Sequence, residues 1–207
     1  MATNNTQNVS TGKGVAGGYF YTAPVGTPLP SDFSSDLNSA FVNCGFLSDE
    51  GITNSTDADN QTYKDLNGDD VLTAYAGRTR TISLQFIELN EQSLKEVYGQ
   101  GNVDVSGDMI TVTHDNDDPE HRSLVMELLL RDGRRWRRVV EDAQISDWEN
   151  VTVVSSDLVN LGVAYTLNKG NTTDAYIKDY IEPTASVNPS VSGGRSVKSG
   201  TATTDGK

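Results

Sequence analysis

The stretch Arg122–Ile145, RSLVMELLLRDGRRWRRVVEDAQI, admits few folds. Two strand-like runs flank Asp132-Gly133, a dipeptide that tolerates the positive φ values of a two-residue type I′ hairpin turn. Such a turn sets Leu129 opposite Trp136, Glu127 opposite Arg138 and Val125 opposite Val140, pairs that favour cross-strand packing. The other face interleaves Met126, Leu128 and Leu130 with Arg135 and Arg137. A half-buried hairpin alternates apolar and polar residues. Here neither face is cleanly wet or dry, so the hairpin is expected to touch protein on both sides, which points to assembly.

The arginines of this hairpin stand out against the rest of the chain. Net charge over the 207 residues is −13, yet Arg131, Arg134, Arg135, Arg137 and Arg138, five of the sixteen basic residues, fall within one short segment. An acidic surface repels phosphate backbones, so nucleic-acid binding through the global field is disfavoured. The cluster has three readings: an edge hairpin kept soluble by charges paired with nearby acids, a basic patch that docks on an acidic surface of another copy, or a local contact with nucleic acid.

Length and composition fit one all-β domain. Five of the six prolines (Pro24, Pro28, Pro30, Pro183 and Pro189) lie near the two ends and leave Pro119 alone in the body, as a continuous sheet requires. Residues 1–14 carry no aromatic and are expected to be a flexible arm. Tyr19-Phe20-Tyr21 opens the ordered domain, residues 15–182. Phe41–Leu47 reads as a short strand. Ser48–Asp70 is a polar insert of the kind that serves as a binding loop or an extended hairpin. Arg78–Phe86 alternates strictly, with Ile82, Leu84 and Phe86 on one face. Asn90–Gly99 is the one helix, with Asn90 as N-cap, Leu89 and Leu94 at the staple positions and Gly99 at its end. Val103–Val112 is expected to turn at Ser106-Gly107. Further strands are expected over Ile145–Val154, Leu158–Leu167 and Asp174–Ile181. Residues 183–207 have no aromatics and abundant Ser, Thr and Gly, the composition of a flexible tail.

The chemistry a site would need is missing from the sequence. Cys44 is alone and reads as a small buried hydrophobe. His114 and His121, in HDNDDPEH, match no metal-ligand spacing, and DLNGDD at Asp65–Asp70 fails as a calcium loop because Ala76 stands where a bidentate Glu is required. No GxxxxGK[ST], GxSxG or HExxH occurs. No catalytic residue, metal or cofactor is expected. No run of about 18 apolar residues exists, and the polar MATNNTQNVSTGKG lacks a leader's apolar core, so a soluble protein made in a cytoplasm is expected.

The order of features resembles the major tail tube proteins of long-tailed bacteriophages. The residues that carry the likeness are GGYFYTAPVGTPLP at Gly17–Pro30, FVNCGFLSDEGITNSTDADNQTYKDLNGDDV at Phe41–Val71 and RTISLQFIELNEQSLKEVYG at Arg80–Gly99, followed by the DG hairpin and the closing strands. The resemblance spans roughly residues 15–182; the dense arginine cluster has no counterpart in it. It implies an antiparallel β-sandwich or barrel with one short flanking helix. It further implies a structural virion protein that assembles as hexameric rings stacked into a hollow tail tube, through which DNA is ejected. The other tail proteins, such as the tape measure and the tail terminator, are implied as partners. An acidic lining would let DNA slide, where a basic one would hold it. The alternative is a β-sandwich decoration or adhesion module that binds host carbohydrate or protein. It is disfavoured because the insert offers only Tyr63 as an aromatic.

Two sets of residues are expected to mediate assembly. On the hairpin, Arg135 and Arg137 have only Leu130 and Leu128 opposite them in the two-residue register. They are therefore expected at a subunit contact together with Trp136 and Arg138. In the insert, Asp57, Asp59, Tyr63, Lys64, Asp65 and Asp69 are expected to form a ring-stacking loop, mobile alone and ordered in the tube.

Overall fold

Two long hairpins organise the chain in the computed structural model, which describes residue 4 and residues 6–184. In chain order the strands begin with β1 (Gly12–Gly14), β2 (Phe20–Pro24) and β3 (Val42–Asn43). The first long hairpin follows, β4 (Thr53–Lys64) with β5 (Asp70–Phe86), then the helix α1 (Glu91–Tyr98) and a small hairpin, β6 (Val103–Ser106) with β7 (Met109–Val112). The second long hairpin is β8 (Arg122–Leu130) with β9 (Arg135–Trp148), and β10 (Leu161–Asn168) and β11 (Lys178–Ile181) close the series. No helix among the described residues is long and apolar enough to cross a membrane.

The main sheet is antiparallel throughout, in the order β3-β2-β8-β9-β10-β5-β4. β1 extends it along β8, and β11 extends it along β9. The sheet curls until the chain after β3 meets β5. The Cys44 amide donates to the Phe20 carbonyl at 3.0 Å, Ser48 N donates to Gln85 O at 2.9 Å, and Leu47 bridges Phe86. The result is a small closed barrel, with the outer edges of β1, β4 and β11 unpaired among the described residues. Phe20, Ile82, Leu84, Phe86, Leu124, Met126, Val140, Val163, Tyr165 and Leu167 fill its interior. The alternation foreseen in Arg78–Phe86 thus points inward as expected, whereas the strand expected over Leu158–Leu167 begins only at Leu161. Phe20 and Phe86 meet edge to face at 5.7 Å.

The central hairpin departs from the two-residue turn. Leu130 donates its N–H to Arg134 O at 2.9 Å and accepts from Gly133 N at 2.9 Å, so Arg131-Asp132-Gly133 forms a three-residue loop. Gly133 takes φ +86, the left-handed position such loops end on. The pairing slips by one residue: Leu129 faces Arg135, Leu128 faces Trp136, Glu127 faces Arg137 and Val125 faces Val139. A slip of one exchanges every facing pair. One face enters the barrel through Leu124, Met126 and Val140. The other packs Val125 and Val139 under Ala23, Phe41, Leu29 and Leu37, a second and smaller core. Both faces are covered within a single chain, so their lack of alternation does not require a neighbour.

Other expectations shift at their boundaries. The helix has the cap foreseen: Asn90 Oδ1 accepts from Ser93 N at 2.8 Å, Ser93 Oγ accepts from Asn90 N at 3.1 Å, and Gly99 ends it at φ 101. Leu89, expected as half of a staple, is half-exposed. Phe41–Leu47 shrinks to the two residues of β3 and an isolated bridge, because the backbone turns at Gly45, φ +89. The strand expected over Ile145–Val154 is the end of one continuous strand that stops at Trp148. Residues 12–14, assigned to a flexible arm, form β1, fastened to Leu128–Leu130 by backbone pairing. Most of the expected C-terminal tail, residues 185–207, lies outside the described residues, as do residues 1–3 and 5.

Candidate functional site

The insert is a regular two-stranded ribbon. β4 pairs with β5 from Thr53↔Ser83 to Lys64↔Asp70, interrupted by irregularities after Asp59 and after Tyr63. β10 accompanies β5 only over Thr81–Phe86, so the ribbon beyond Arg80 stands clear of the barrel as an arm. Nearly every residue of the arm is exposed on both faces. Its tip is closed by Asp65, whose Oδ1 accepts from Asn67 N at 2.9 Å and Asp69 N at 2.8 Å. These amide hydrogen bonds, that of Asp69 foremost, hold the Asp65 carboxyl below its ordinary range. Lys64 and Asp70 pair at 2.6 Å across the base of the turn. The carboxylate of DLNGDD is therefore engaged in closing a turn. Asp57, Asp59 and Tyr63 stand exposed along β4.

The arm also carries apolar residues left largely bare by the described residues. Leu66 at its tip is fully exposed, and Val71, Leu72 and Tyr75 on β5 are each more than half exposed. A two-stranded hairpin is marginal alone in water, and a ribbon with these side chains bare has contact surface to give.

Of the five arginines, three are bound within the chain. Arg137 is 4% exposed. Its Nε donates to Glu127 Oε1 at 2.6 Å, Nη1 to Asp32 O at 2.9 Å and Nη2 to Ser35 O at 2.7 Å. The one-residue slip gives Arg137 the acid that the two-residue register assigned to Arg138, so the premise that placed Arg137 at a subunit contact is corrected. Arg138 makes a forked pair with Asp179 at 2.8 and 3.1 Å, and its guanidinium lies 5.1 Å from the Trp136 ring centre. Trp136 donates its indole N–H to the same carboxylate at 2.9 Å. Both partners depend on β11, which lies alongside β9. Arg134 pairs with Asp132 at 2.6 Å, a bond that lowers the Asp132 carboxyl. Arg131 and Arg135 are exposed, and among the described residues neither has a carboxylate within salt-bridge distance.

A buried polar cluster escaped sequence reading. Glu96 on the inner side of α1 accepts from Thr22 Oγ1 at 2.8 Å, from Arg122 Nε at 3.2 Å and from the Tyr165 hydroxyl at 3.3 Å. Burial pushes the Glu96 carboxyl up, and Arg122, Thr22 and Tyr165 offset part of that shift. Cys44 lies 3.5 Å from Thr22, its thiol pushed up to about 12 by burial. A thiol held there is inert, and the cluster fastens the helix to the barrel. The buried helix face is Ser93, Glu96 and Val97, offset from the apolar stripe Leu94, Val97, Tyr98, so the stripe gave no sign of the cluster.

The strands give the molecule two distinct ends. β5 and β9 both run antiparallel to β10, so the arm tip and the arginine hairpin tip lie at the same end. At the opposite end sit α1 and the acidic loop before β8. Trp148 there donates its indole N–H to Val97 O at 3.0 Å, and a groove of about 700 Å³ opens beside it, lined in part by Asp115, Asp117, Asp118, Glu120, Trp148 and Val151.

Comparison with known proteins bears on this geometry. A profile described as phage tail tube protein matches residues 1–190. No curated protein sequence matches. Among solved structures, the anti-feeding prophage cap, a tube terminating cap, is similar at 10% identity, 84% of this chain, 96% of that chain and a TM-score of 0.35. The sheath-tube complex of an extracellular contractile injection system is similar at 9% identity, 82% and 92% coverage and a TM-score of 0.34. Its sheath/tube terminator gives 9%, 83%, 98% and 0.32. The match over residues 1–190 decides the matter: the chain belongs to the phage tail tube protein family, structural proteins of the virion tail.

Proposed function

We propose that this chain forms hexameric rings that stack into the hollow tube for DNA ejection, and that the β4–β5 arm joins one ring to the next. The observation that carries the reading is the arm: a ribbon clear of the barrel, with Leu66, Val71, Leu72 and Tyr75 bare. Such a ribbon gains most of its stability from a second surface, and in an assembly of identical chains that surface belongs to another copy. Asp57, Asp59, Tyr63, Lys64, Asp65 and Asp69 ride on the arm and take part in that contact. Arg135 belongs to a subunit contact as well, whereas Trp136 and Arg138 form the wall behind it.

The protein acts as a scaffold with no catalytic role. It is assembled in the host cytoplasm, where the tape measure and tail terminator bound tube growth. The strongly acidic chain supports a lumen from which DNA is released rather than held. Negative-stain microscopy of the purified protein at high concentration tests the reading. Rings or tubes of uniform width are expected; monodisperse single barrels at every concentration would refute it.

A further inference from the structure

Two features at opposite ends of the barrel, the tip of the β8–β9 hairpin and the loop before β8, carry exposed charges of opposite sign that lack salt-bridge partners among the described residues. At one end Arg131 and Arg135 are exposed on the tip of the β8–β9 hairpin, and Lys13 lies beside Leu129 on the adjoining β1. At the other, the loop from Thr113 to Glu120 holds Asp115, Asp117, Asp118 and Glu120, all exposed, none with a cation in salt-bridge distance among the described residues. The basic groups nearest that loop are already engaged. Arg122 is buried against Glu96, Lys95 pairs with Glu91, and His121 Nδ1 lies 2.6 Å from Asp142 Oδ1. The two features are the opposite ends of one strand, β8, whose nine residues separate them by about 30 Å.

We propose that the arginine tip of one copy docks against the acidic 113–120 loop and its groove on a second copy lying end to end with it. The reading rests on the stacked-tube function above and adds to it the surface that receives the tip. Charge complementarity selects the occupant, because a loop with four exposed carboxylates favours a basic partner, and the chain's own net charge of −13 leaves the arginine tip as its concentrated basic patch. Shape agrees: a narrow three-residue loop meets a groove of about 700 Å³ that contains Trp148 and Val151 as well as the acids. A contact between unlike ends of copies stacked end to end propagates along one axis and gives every copy the same direction. The arm leaves from the same end as the tip, so arm and tip reach toward the same neighbouring ring.

Charge exchange tests the docking. Arg131→Glu with Arg135→Glu should raise the concentration needed for tube growth about tenfold or more, and Asp115→Lys with Asp117→Lys and Asp118→Lys should do the same. All these residues are exposed, so circular dichroism should show both variants folded. Mixing the two variants should restore tubes, because each then supplies the end the other lacks. Normal growth of either variant alone, or failure of the folded mixture to assemble, overturns the docking and leaves the tube reading standing. If the unmodified chain never associates, the tube reading fails and the docking with it.

Discussion

Glu96 and Arg122 form an ion pair that is 5% and 7% exposed, respectively. Removing one member of a buried pair leaves the other uncompensated, which costs about 3–5 kcal/mol. Glu96→Gln should lose stability of that order in a denaturant titration, whereas Lys95→Gln, which breaks the exposed pair with Glu91, should lose less than about 1 kcal/mol. A smaller loss for Glu96→Gln would mean the cluster does not hold the helix. Because burial raises the Glu96 carboxyl, the titration of this one group lowers stability as pH rises from the unfolded value near 4.5 through the folded one. The loss on Glu96→Gln therefore measures the partner that Arg122, Thr22 and Tyr165 lose rather than a favourable ionisation. Glu141 has the opposite sign. Burial raises its carboxyl, but the amides of Thr172 and Thr173, donating at 2.6–3.1 Å, outweigh burial and hold it below the ordinary range. A depressed carboxyl contributes stability above the unfolded value of about 4.5 that disappears as pH falls through the folded one. Thermal melts of Glu141→Gln should therefore depend less on pH below about 4.5 than those of the unmodified chain. An unchanged acid limb would contradict this.

Beyond Arg80 the β4–β5 ribbon is held by its own ladder and gives no residue to the barrel core. Replacing residues 60–76 with Asn-Gly leaves Asp59 paired with Gly77 across a short turn. That variant should melt within a few degrees of the unmodified protein yet form no tubes; a large drop in melting temperature would show that the arm supports the barrel. The ribbon was legible as an insert but only loosely as a hairpin, because its Asn, Asp and Gly residues disfavour strands and its apolar residues mark no buried face. The strands that enclose Ile82, Leu84 and Phe86 or Val163, Tyr165 and Leu167 were plain, since barrel closure demands that alternation. The central hairpin was recognised but misregistered. Asp132-Gly133 suits a two-residue turn and also the last two positions of a three-residue loop, and only the packing of Val125 and Val139 under the 25–41 segment separates them. That one-residue difference misassigned Glu127 and with it the place of Arg137. The Glu96 cluster was illegible because its members come from β2, α1, β8 and β10, far apart in the chain.

The described residues form a closed barrel with an arm and a basic hairpin tip at one end and an acidic groove at the other, while β1, β4 and β11 keep unpaired outer edges. Raising ionic strength should weaken contacts made by Arg131 and Arg135 while strengthening burial of Leu66, Val71, Leu72 and Tyr75. Cryo-electron microscopy of the assembled tube tests the arrangement most directly. The expected map shows each arm lying against a copy in the adjacent ring, with Leu66, Val71, Leu72 and Tyr75 buried there. A regular tube in which the arms extend free into solvent, with those side chains still bare, would contradict it.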